Sequence, residues 1–315
     1  MSKPDLTKPE VVLSASTIKQ LEDCSYLHYV KKVLKFPDPG NSGASRGTCC
    51  HLIFELLLTP RHKHHFDNII KNGVESSKSI TRLIKKVLTR EGINEPEHYE
   101  MVKEMILVGL KNDFYGPKGA QIQDAEKEFL LEGNGYKIRG FIDKTLINED
   151  KLLIQDYKSS KKQFSQEELQ NNIQAYTYTL AAKRKLWPHI KDVSVEFIFL
   201  RFPEDPIQQV KVDDDQLKGF EKYLAYLYKL VNNFTEDDAR RNFAYDNPKK
   251  KWLCKAGATW ECPARQPRDF YVLTDERGKV MKSAFDKESL DKIVKPGQAV
   301  ERRRYEGCPK HNVTF

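Results

Sequence analysis

Two carboxylates and a lysine lie close together along the segment GFIDKTLINEDKLLIQDYKSS, residues 140 to 160. Asp143 follows an apolar pair and Asp156 follows an apolar run, so each acid is placed at the end of a segment typical of a buried strand. A hairpin between these strands would bring the two carboxylates close together. Two bare carboxylates repel one another unless a proton or a cation is shared between them. The pair therefore predicts a cation site.

The chemistry of such a site follows from the ligands that the cation prefers. Mg²⁺ and Mn²⁺ prefer oxygen, and they bind one or two carboxylates together with water and substrate phosphate. Lys158 lies two residues beyond Asp156, and the period of a strand places both side chains on one face. Its ammonium could orient an attacking water and stabilise charge in a phosphoryl transition state. The alternative is a surface hairpin with an ordinary Asp–Lys ion pair.

The elements that must position these residues come in the order helices, strands, helix, strands, helix. Apolar periodicity predicts helices from about 14 to 36, after residue 47, and in two pieces from about 75 to 112. Three β-rich runs after residue 126, separated by GNG and NED, predict a three-stranded meander. A helix from about 165 to 185, two strands, and a long amphipathic helix follow. This order predicts an α/β fold.

Four further residues on the predicted helices are candidates for the same site. His51 lies on the strongly apolar segment GTCCHLIFELLLT, where a lone histidine is more often a core residue than a metal ligand. Glu55 lies one turn further along the same helix. It could be an acid that supports the metal ligands or a simple surface residue. Gln174 and Tyr178 are four residues apart and therefore share a helix face. Taken alone, they equally fit an amphipathic helix with a packed tyrosine.

Composition limits the functions that this chain can have. Its 315 residues, 39% of them hydrophobic and 31% charged, fit a globular protein with a substantial core. A net charge of +8 favours a polyanionic partner without proving one. No apolar run reaches the roughly 18 residues of a membrane span, and the first ten residues lack a signal peptide's apolar stretch. We expect a cytoplasmic or otherwise intracellular protein with no membrane partner.

The motifs in their order resemble the PD-(D/E)XK nucleases, and within them the RecB-like exonuclease branch that includes CRISPR-adaptation nucleases and the nuclease domains of recombination helicases. In this branch G-x-x-D supplies the first acid, D-x-K the second acid and the lysine, and Q-x-x-x-Y marks the following helix. G-x-x-x-H on an early helix adds a histidine ligand. The matching residues are Gly140, Asp143, Asp156, Lys158, Gln174, Tyr178, Gly47 and His51.

The resemblance implies a restriction-endonuclease-like core with a central mixed β-sheet flanked by helices. It also implies that His51, Asp143, Asp156 and the carbonyl of Tyr157 bind Mg²⁺ or Mn²⁺, and that Lys158 acts in catalysis. Gln174 and Tyr178 would contact the nucleic-acid strand or order the metal site.

The cysteines suggest a second metal site near the C-terminus. Iron–sulfur members of the branch hold a [4Fe–4S] cluster with one early and three late cysteines, the layout of Cys24, Cys254, Cys262 and Cys308. Seven residues separate Cys254 from Cys262, which is wider than the usual tight pair. There are two alternatives to the cluster. One is a Cys₃His zinc site formed by the three late cysteines and His311, and the other is that these cysteines are unrelated buried thiols.

We therefore expect a PD-(D/E)XK nuclease domain over residues 1–246 and a small cysteine-bearing appendage over residues 247–315. The expected activity is metal-dependent hydrolysis of DNA phosphodiester bonds, most simply by an exonuclease acting on single strands or ends in recombination, repair or viral replication. Two alternatives stay open: an inactive module that binds nucleic-acid ends, and a structural-metal protein that binds nucleic acid through its appendage. The sequence leaves strand polarity, the choice of DNA or RNA and protein partners undetermined.

Overall fold

The computed structural model describes residues 10–116, 121–122, 126–254 and 261–311. The chain divides into two compact units. We call residues 12–15 and 40–228 the site unit, and residues 16–39 and 229–315, with those before residue 12, the cysteine unit. The predicted domain boundary between residues 246 and 247 lies inside the cysteine unit.

Helices precede, interrupt and follow the strands in the predicted order. In the described residues they are α1 (Ala15–Asp23), α2 (Ser25–His28), α3 (Ser42–Leu58), α4 (Lys63–Asn72), α5 (Lys78–Arg90), α6 (Pro96–Lys111), α7 (Gln166–Gln170), α8 (Ile173–Ala181), α9 (Asp214–Asn232), α10 (Glu236–Ala239) and α11 (Glu288–Asp291). None of these described helices combines the length and the apolar character needed to cross a bilayer.

The strands form one central sheet and two smaller ones. They are β1 (Gln121–Ile122), β2 (Lys127–Gly133), β3 (Tyr136–Ile142), β4 (Lys144–Asn148), β5 (Lys151–Lys158), β6 (Asp192–Phe199), β7 (Ile207–Val210), β8 (Arg268–Thr274), β9 (Val280–Ala284) and β10 (Ala299–Tyr305). The five-stranded sheet has the order β1-β4-β5-β6-β7, and only its β5–β6 pair is parallel. The site unit is therefore a mixed α/β fold, with its central sheet flanked by helices as predicted.

The predicted meander is wrong in one respect that matters for the site. The run YKIRGFIDKTLI is not one strand, because it breaks at Asp143 between β3 and β4. β2 and β3 form a separate two-stranded sheet, whereas β4 joins β5 in the central sheet. A strand that leaves one sheet for another must interrupt its ladder, and Asp143 occupies that interruption.

The helix predicted from 165 to 185 also breaks, between α7 and α8. Asn172 causes the break because its side chain accepts hydrogen bonds from the backbone N–H groups of Gln174 and Ala175, which caps α8. The parallel β5–β6 pair requires a crossover connection, and α7 and α8 supply it. Gln174 therefore lies in the first turn of a helix that follows β5.

The cysteine unit has its own core, which joins the two ends of the sequence. Tyr26 stacks on Phe243 at 5.1 Å between ring centroids, and Phe36 packs against Tyr305 at 4.9 Å. The late strands β8, β9 and β10 form an antiparallel sheet. The residues after 246 thus bury their apolar side chains with the early helices, and this shared core explains why the compact unit extends beyond the predicted appendage.

Candidate active site

Asp143 and Asp156 approach one another through the β4–β5 hairpin. Lys144 pairs with Gln155 at the end of this ladder, and continuing the register by one residue places Asp143 opposite Asp156. Because β4 ends there, no strand in the described residues pairs with the outer edge of β5 beyond Gln155. The backbone N–H of Tyr157 donates instead to Asp143 Oδ2 at 2.9 Å. The same feature that ends the strand therefore fixes the first carboxylate.

His51 reaches this edge from α3. A Cβ added to Gly47 would come within 2.7 Å of Ser159 Oγ, so only glycine lets α3 pack this closely on the residue after Lys158. His51, one turn further along, places Nε2 at 3.1 Å from the Tyr157 carbonyl oxygen and Nδ1 at 3.2 Å from Asp143 Oδ2. The structure thus brings the predicted histidine, the first acid and the Tyr157 carbonyl together.

The surroundings of His51 favour its charged form. Both ring nitrogens face acceptor oxygens, and an imidazole can donate to both only when it is protonated. Burial alone would lower the pKa of His51, but the hydrogen bond to Asp143 and the charges of Asp143 and Asp156 outweigh burial and raise the pKa to about 9. A metal that binds His51 must therefore displace a proton.

Asp156 is held by a second set of partners. Only 2% of this residue is exposed, and the Tyr178 hydroxyl and the Gln174 side-chain amide donate to Asp156 Oδ1 at 2.8 Å and 2.7 Å. Lys158 Nζ lies 2.6 Å from Asp156 Oδ2 and also donates to Gln174 Oε1. Gln174 and Tyr178, predicted to share a helix face, thus both contact the second acid.

Burial dominates the electrostatics of this second set. It raises the pKa of Asp156 against the opposing charge of Lys158, and the nearby charge of Asp143 raises it further. Burial, together with the charges of Asp156 and Asp143, also raises the pKa of Tyr178 far above its usual range. Tyr178 therefore stays a neutral donor. With 3% of its surface exposed, it is placed to orient Asp156.

Sequence reasoning missed one acid, Glu126. Among the described residues, a single group of three or more metal-binding side chains has all its ligand atoms within 4.8 Å of one another, and it consists of His51, Glu126 and Asp143. Imidazole and carboxylate ligands of this kind suit a divalent cation. Glu126 also lines a pocket of about 520 Å³ with His51 and Glu55. Burial and the charges of Glu55 and Asp143 raise the pKa of Glu126, against the effect of His51.

The hairpin register contained the signal that would have found Glu126. Gly133 pairs with Tyr136 across the tight turn, and the ladder ends at Lys127 with Ile142. One step beyond, Glu126 stands opposite Asp143, and its N–H donates to the Asp143 carbonyl at 3.1 Å. Counting outward from the GNG turn therefore points to this acid.

The predicted structural-metal residues all lie in the cysteine unit, where its four cysteines are free thiols. Burial raises the pKa of Cys254 to about 11 and of Cys262 to about 12, and in each case nearby charges on the other candidate cysteines add to the effect. Backbone N–H groups donate to Cys24, Cys262 and Cys308. Within the described ranges, however, no three of these sulfurs and His311 gather as closely as the ligand atoms of the His51 group.

The backbone N–H of His311 donates to Cys308, whereas the imidazole ring of His311 has other neighbours. Its ring packs edge-on against Tyr245 at 5.3 Å between centroids. Its Nε2 is buried without a hydrogen-bond partner in the described part of the chain, and burial lowers the pKa of this histidine. A neutral imidazole with an unused nitrogen is compatible with a metal ligand.

Comparison with known proteins places these features in a family. The family model of the PD-(D/E)XK nuclease superfamily matches residues 12–266. Solved structures that resemble this chain include a presumed exonuclease from Eubacterium rectale, at 11% identity and a TM-score of 0.45, with 79% of this chain and 91% of that one covered. Another is a Vibrio cholerae protein, at 11% identity and a TM-score of 0.22. The match covers 72% of this chain and 58% of that one.

Among proteins with curated descriptions, none matches this sequence. The family model alone spans more than three quarters of the chain and includes every residue of the His51 and Asp156 groups. The chain therefore belongs to the PD-(D/E)XK nuclease superfamily.

Proposed function

We propose that the protein is a Mg²⁺- or Mn²⁺-dependent deoxyribonuclease that hydrolyses phosphodiester bonds, acting as an exonuclease on single strands or DNA ends. The observation that supports this most is the convergence of His51, Asp143 and the Tyr157 carbonyl at the edge of β5, beside the Asp156–Lys158 pair. Nucleases of this superfamily typically use divalent metals. The net charge of +8 also suits a polyanionic substrate.

His51, Asp143, Asp156 and the Tyr157 carbonyl would hold the cation in this proposal. When bound, the cation would supply a Lewis acid for the phosphate and lower the pKa of a bound water. Protonated His51 would give up its proton as the cation enters. Tyr178 and Gln174 would keep Asp156 in one orientation, so that its oxygen need not reorganise during the reaction.

Lys158 would act on the attacking water and on the developing charge. Its ammonium has three donors, and Asp156 and Gln174 occupy two of them. The remaining donor is available for a water or a phosphoryl oxygen. With 23% of its side chain exposed, Lys158 is accessible from solvent yet held in place by two partners. Gln174 is partly exposed whereas Tyr178 is buried, so Gln174 is the one of these two residues that could also contact a substrate strand.

The test compares cleavage of end-labelled single-stranded and double-stranded DNA, and of matched RNA, with and without Mg²⁺. Asp156→Asn should abolish cleavage. The matched control is Asp150→Asn, which removes the same charge from the exposed turn at the far end of the β4–β5 hairpin. Metal-independent cleavage, or full activity of Asp156→Asn, would refute the proposal. Binding without cleavage by the wild type would favour the inactive end-binding module.

Closed circular DNA distinguishes the mode of action. An exonuclease degrades linear DNA from its ends and leaves covalently closed circles intact, whereas an endonuclease cuts both. Protection of the circles under conditions that consume linear DNA would support the exonuclease assignment. Linearisation of the circles would replace it with an endonuclease.

We further propose that Cys24, Cys254, Cys262 and Cys308 hold a structural metal centre in the cysteine unit. Backbone N–H groups directed at three of the sulfurs would stabilise thiolates once metal displaces the protons. A single zinc with Zn–S bonds near 2.3 Å needs ligand atoms about 3.8 Å apart. Among the described residues no three of these sulfurs and His311 lie within 4.8 Å of one another, which favours a [4Fe–4S] cluster over a Cys₃His zinc site. Iron and zinc analysis of anaerobically purified protein tests this, and absence of both metals would return the cysteines to simple packing.

A further inference from the structure

Glu126 approaches the proposed cation from an element that none of the predicted ligands uses. Its carboxylate lies within 4.8 Å of the ligand atoms of both His51 and Asp143. Asp156, whose carboxylate is turned to Lys158, Gln174 and Tyr178, is absent from this group in the described structure. Glu126 is thus gathered with His51 and Asp143 more closely than the second motif acid is.

The backbone fixes Glu126 in this place. Its N–H donates to the carbonyl of Asp143 at 3.1 Å, immediately before β2 begins. Its φ of +49° lies in the left-handed region, which a non-glycine residue rarely adopts. This conformation turns the chain just where the β2–β3 ladder ends, so Glu126 does not continue the alternation of the strand. Strained residues of this kind persist where the surrounding structure over-determines them.

The charged groups that act on Glu126 are the carboxylates of Glu55 and Asp143, opposed by His51. In the described parts of the chain, no lysine or arginine forms an ion pair with its carboxylate. Glu55 lies in the same pocket, whose lining also contains His51. Arg90 also lines this pocket, but with the nearby Asp143 the three carboxylates of Glu55, Glu126 and Asp143 outnumber the two cationic groups of His51 and Arg90. A divalent cation at this position would balance that excess.

We propose that Glu126 is an additional ligand of the catalytic cation, completing a His51–Asp143–Glu126 set to which the motif acid Asp156 adds a further oxygen. The inference rests on the proposed function, because it assigns a ligand to the same site. An extra carboxylate would increase the affinity for the cation and favour a hard ion with oxygen ligands. It would also hold the cation when no DNA is bound.

Binding of Mn²⁺ to the full chain, measured by the loss of the free-ion electron paramagnetic resonance signal, tests this without reference to activity. Glu126→Gln should weaken Mn²⁺ binding by about tenfold or more, since even indirect partners of a metal often contribute that much. Glu126→Asp keeps the charge and should recover part of the affinity. Circular dichroism of each variant verifies folding.

One further variant distinguishes a ligand from a nearby charge. Glu55→Gln removes the same charge from the same pocket, and it should change Mn²⁺ affinity by much less than Glu126→Gln does. An equal effect of the two variants would overturn the proposal, because it would mean that Glu126 acts on the cation only through its charge at a distance and does not bind it. Wild-type affinity in Glu126→Gln would overturn it as well.

Asp143→Asn separates this inference from the proposed function. If Asp143→Asn loses Mn²⁺ binding while Glu126→Gln retains it, the ligand assignment of Glu126 fails and the metal site stands. If Asp143→Asn also binds Mn²⁺ normally, the metal site itself fails, and the assignment of Glu126 fails with it.

Discussion

The His51–Asp143 contact makes a quantitative prediction about the metal-free protein. A histidine whose pKa is about 9 in the folded state and 6.5 when unfolded stabilises the fold fully below pH 6.5. That stabilisation declines as pH rises and is lost as pH passes 9, because the folded state then releases the proton that it held more tightly. At about 1.36 kcal/mol per pKa unit, the change from 6.5 to about 9 corresponds to about 3 kcal/mol.

The assay compares the free energies of urea-induced unfolding of wild type and His51→Gln at pH 6 and pH 9.5, with chelator present. Trp187 is buried in the site unit and reports on its unfolding once Trp252 and Trp260 are replaced by phenylalanine. Wild type should lose about 3 kcal/mol more than His51→Gln over this range. His189→Gln, which removes an exposed histidine of the same unit, is the matched control and should behave as wild type.

Equal losses for wild type and His51→Gln would refute this reasoning, because they would mean that His51 is not held as an imidazolium. A second measurement connects the pair to the proposed metal. Near pH 7 a protonated His51 must release about one proton when Mn²⁺ binds, and the heat of binding should therefore depend on the ionisation enthalpy of the buffer. In His51→Gln that dependence should largely disappear.

Four other predictions follow from the same structure. Lys158→Ala should depress cleavage while Mn²⁺ affinity persists, and lost affinity with normal turnover would contradict its role. Gly140→Ala should lower the unfolding free energy by about 1–3 kcal/mol, since a Cβ there would lie 2.6 Å from the Phe129 ring; an unchanged melting temperature would argue against this packing. DNA affinity should fall steeply with salt as counterions are released, and a flat response would mean that the +8 charge does not serve the substrate. Cys24→Ala should release iron if a cluster is present, whereas zinc lost from His311→Ala would indicate the Cys₃His site instead.

The resemblance of the motifs to those of the PD-(D/E)XK nucleases was enough to predict the superfamily, and the order of the predicted elements was enough to predict the α/β fold. The two-residue period of a strand places Asp156 and Lys158 on one face, and four residues along a helix place Gln174 and Tyr178 on one face. Both relations depend only on backbone geometry within a single element. The roles of these residues in catalysis stay predictions.

Relations between elements were decided only by the tertiary structure. The sequence does not show that β3 leaves one sheet and β4 enters another at Asp143, because both runs have the apolar character of strands. It also does not show that Tyr178 points at Asp156, since a packed tyrosine has the same pattern whichever buried group it meets.

Glu126 and the cysteine unit illustrate the same limit. The GNG turn gives a register that sets Glu126 opposite Asp143, but the sequence around Glu126 does not indicate its left-handed backbone or its approach to His51. Cys24 lies 230 residues before Cys254, yet both belong to one compact unit because Tyr26 and Phe36 pack against aromatic residues of the late segment. Sequence patterns report which side chains share a face, whereas long-range packing determines which faces meet.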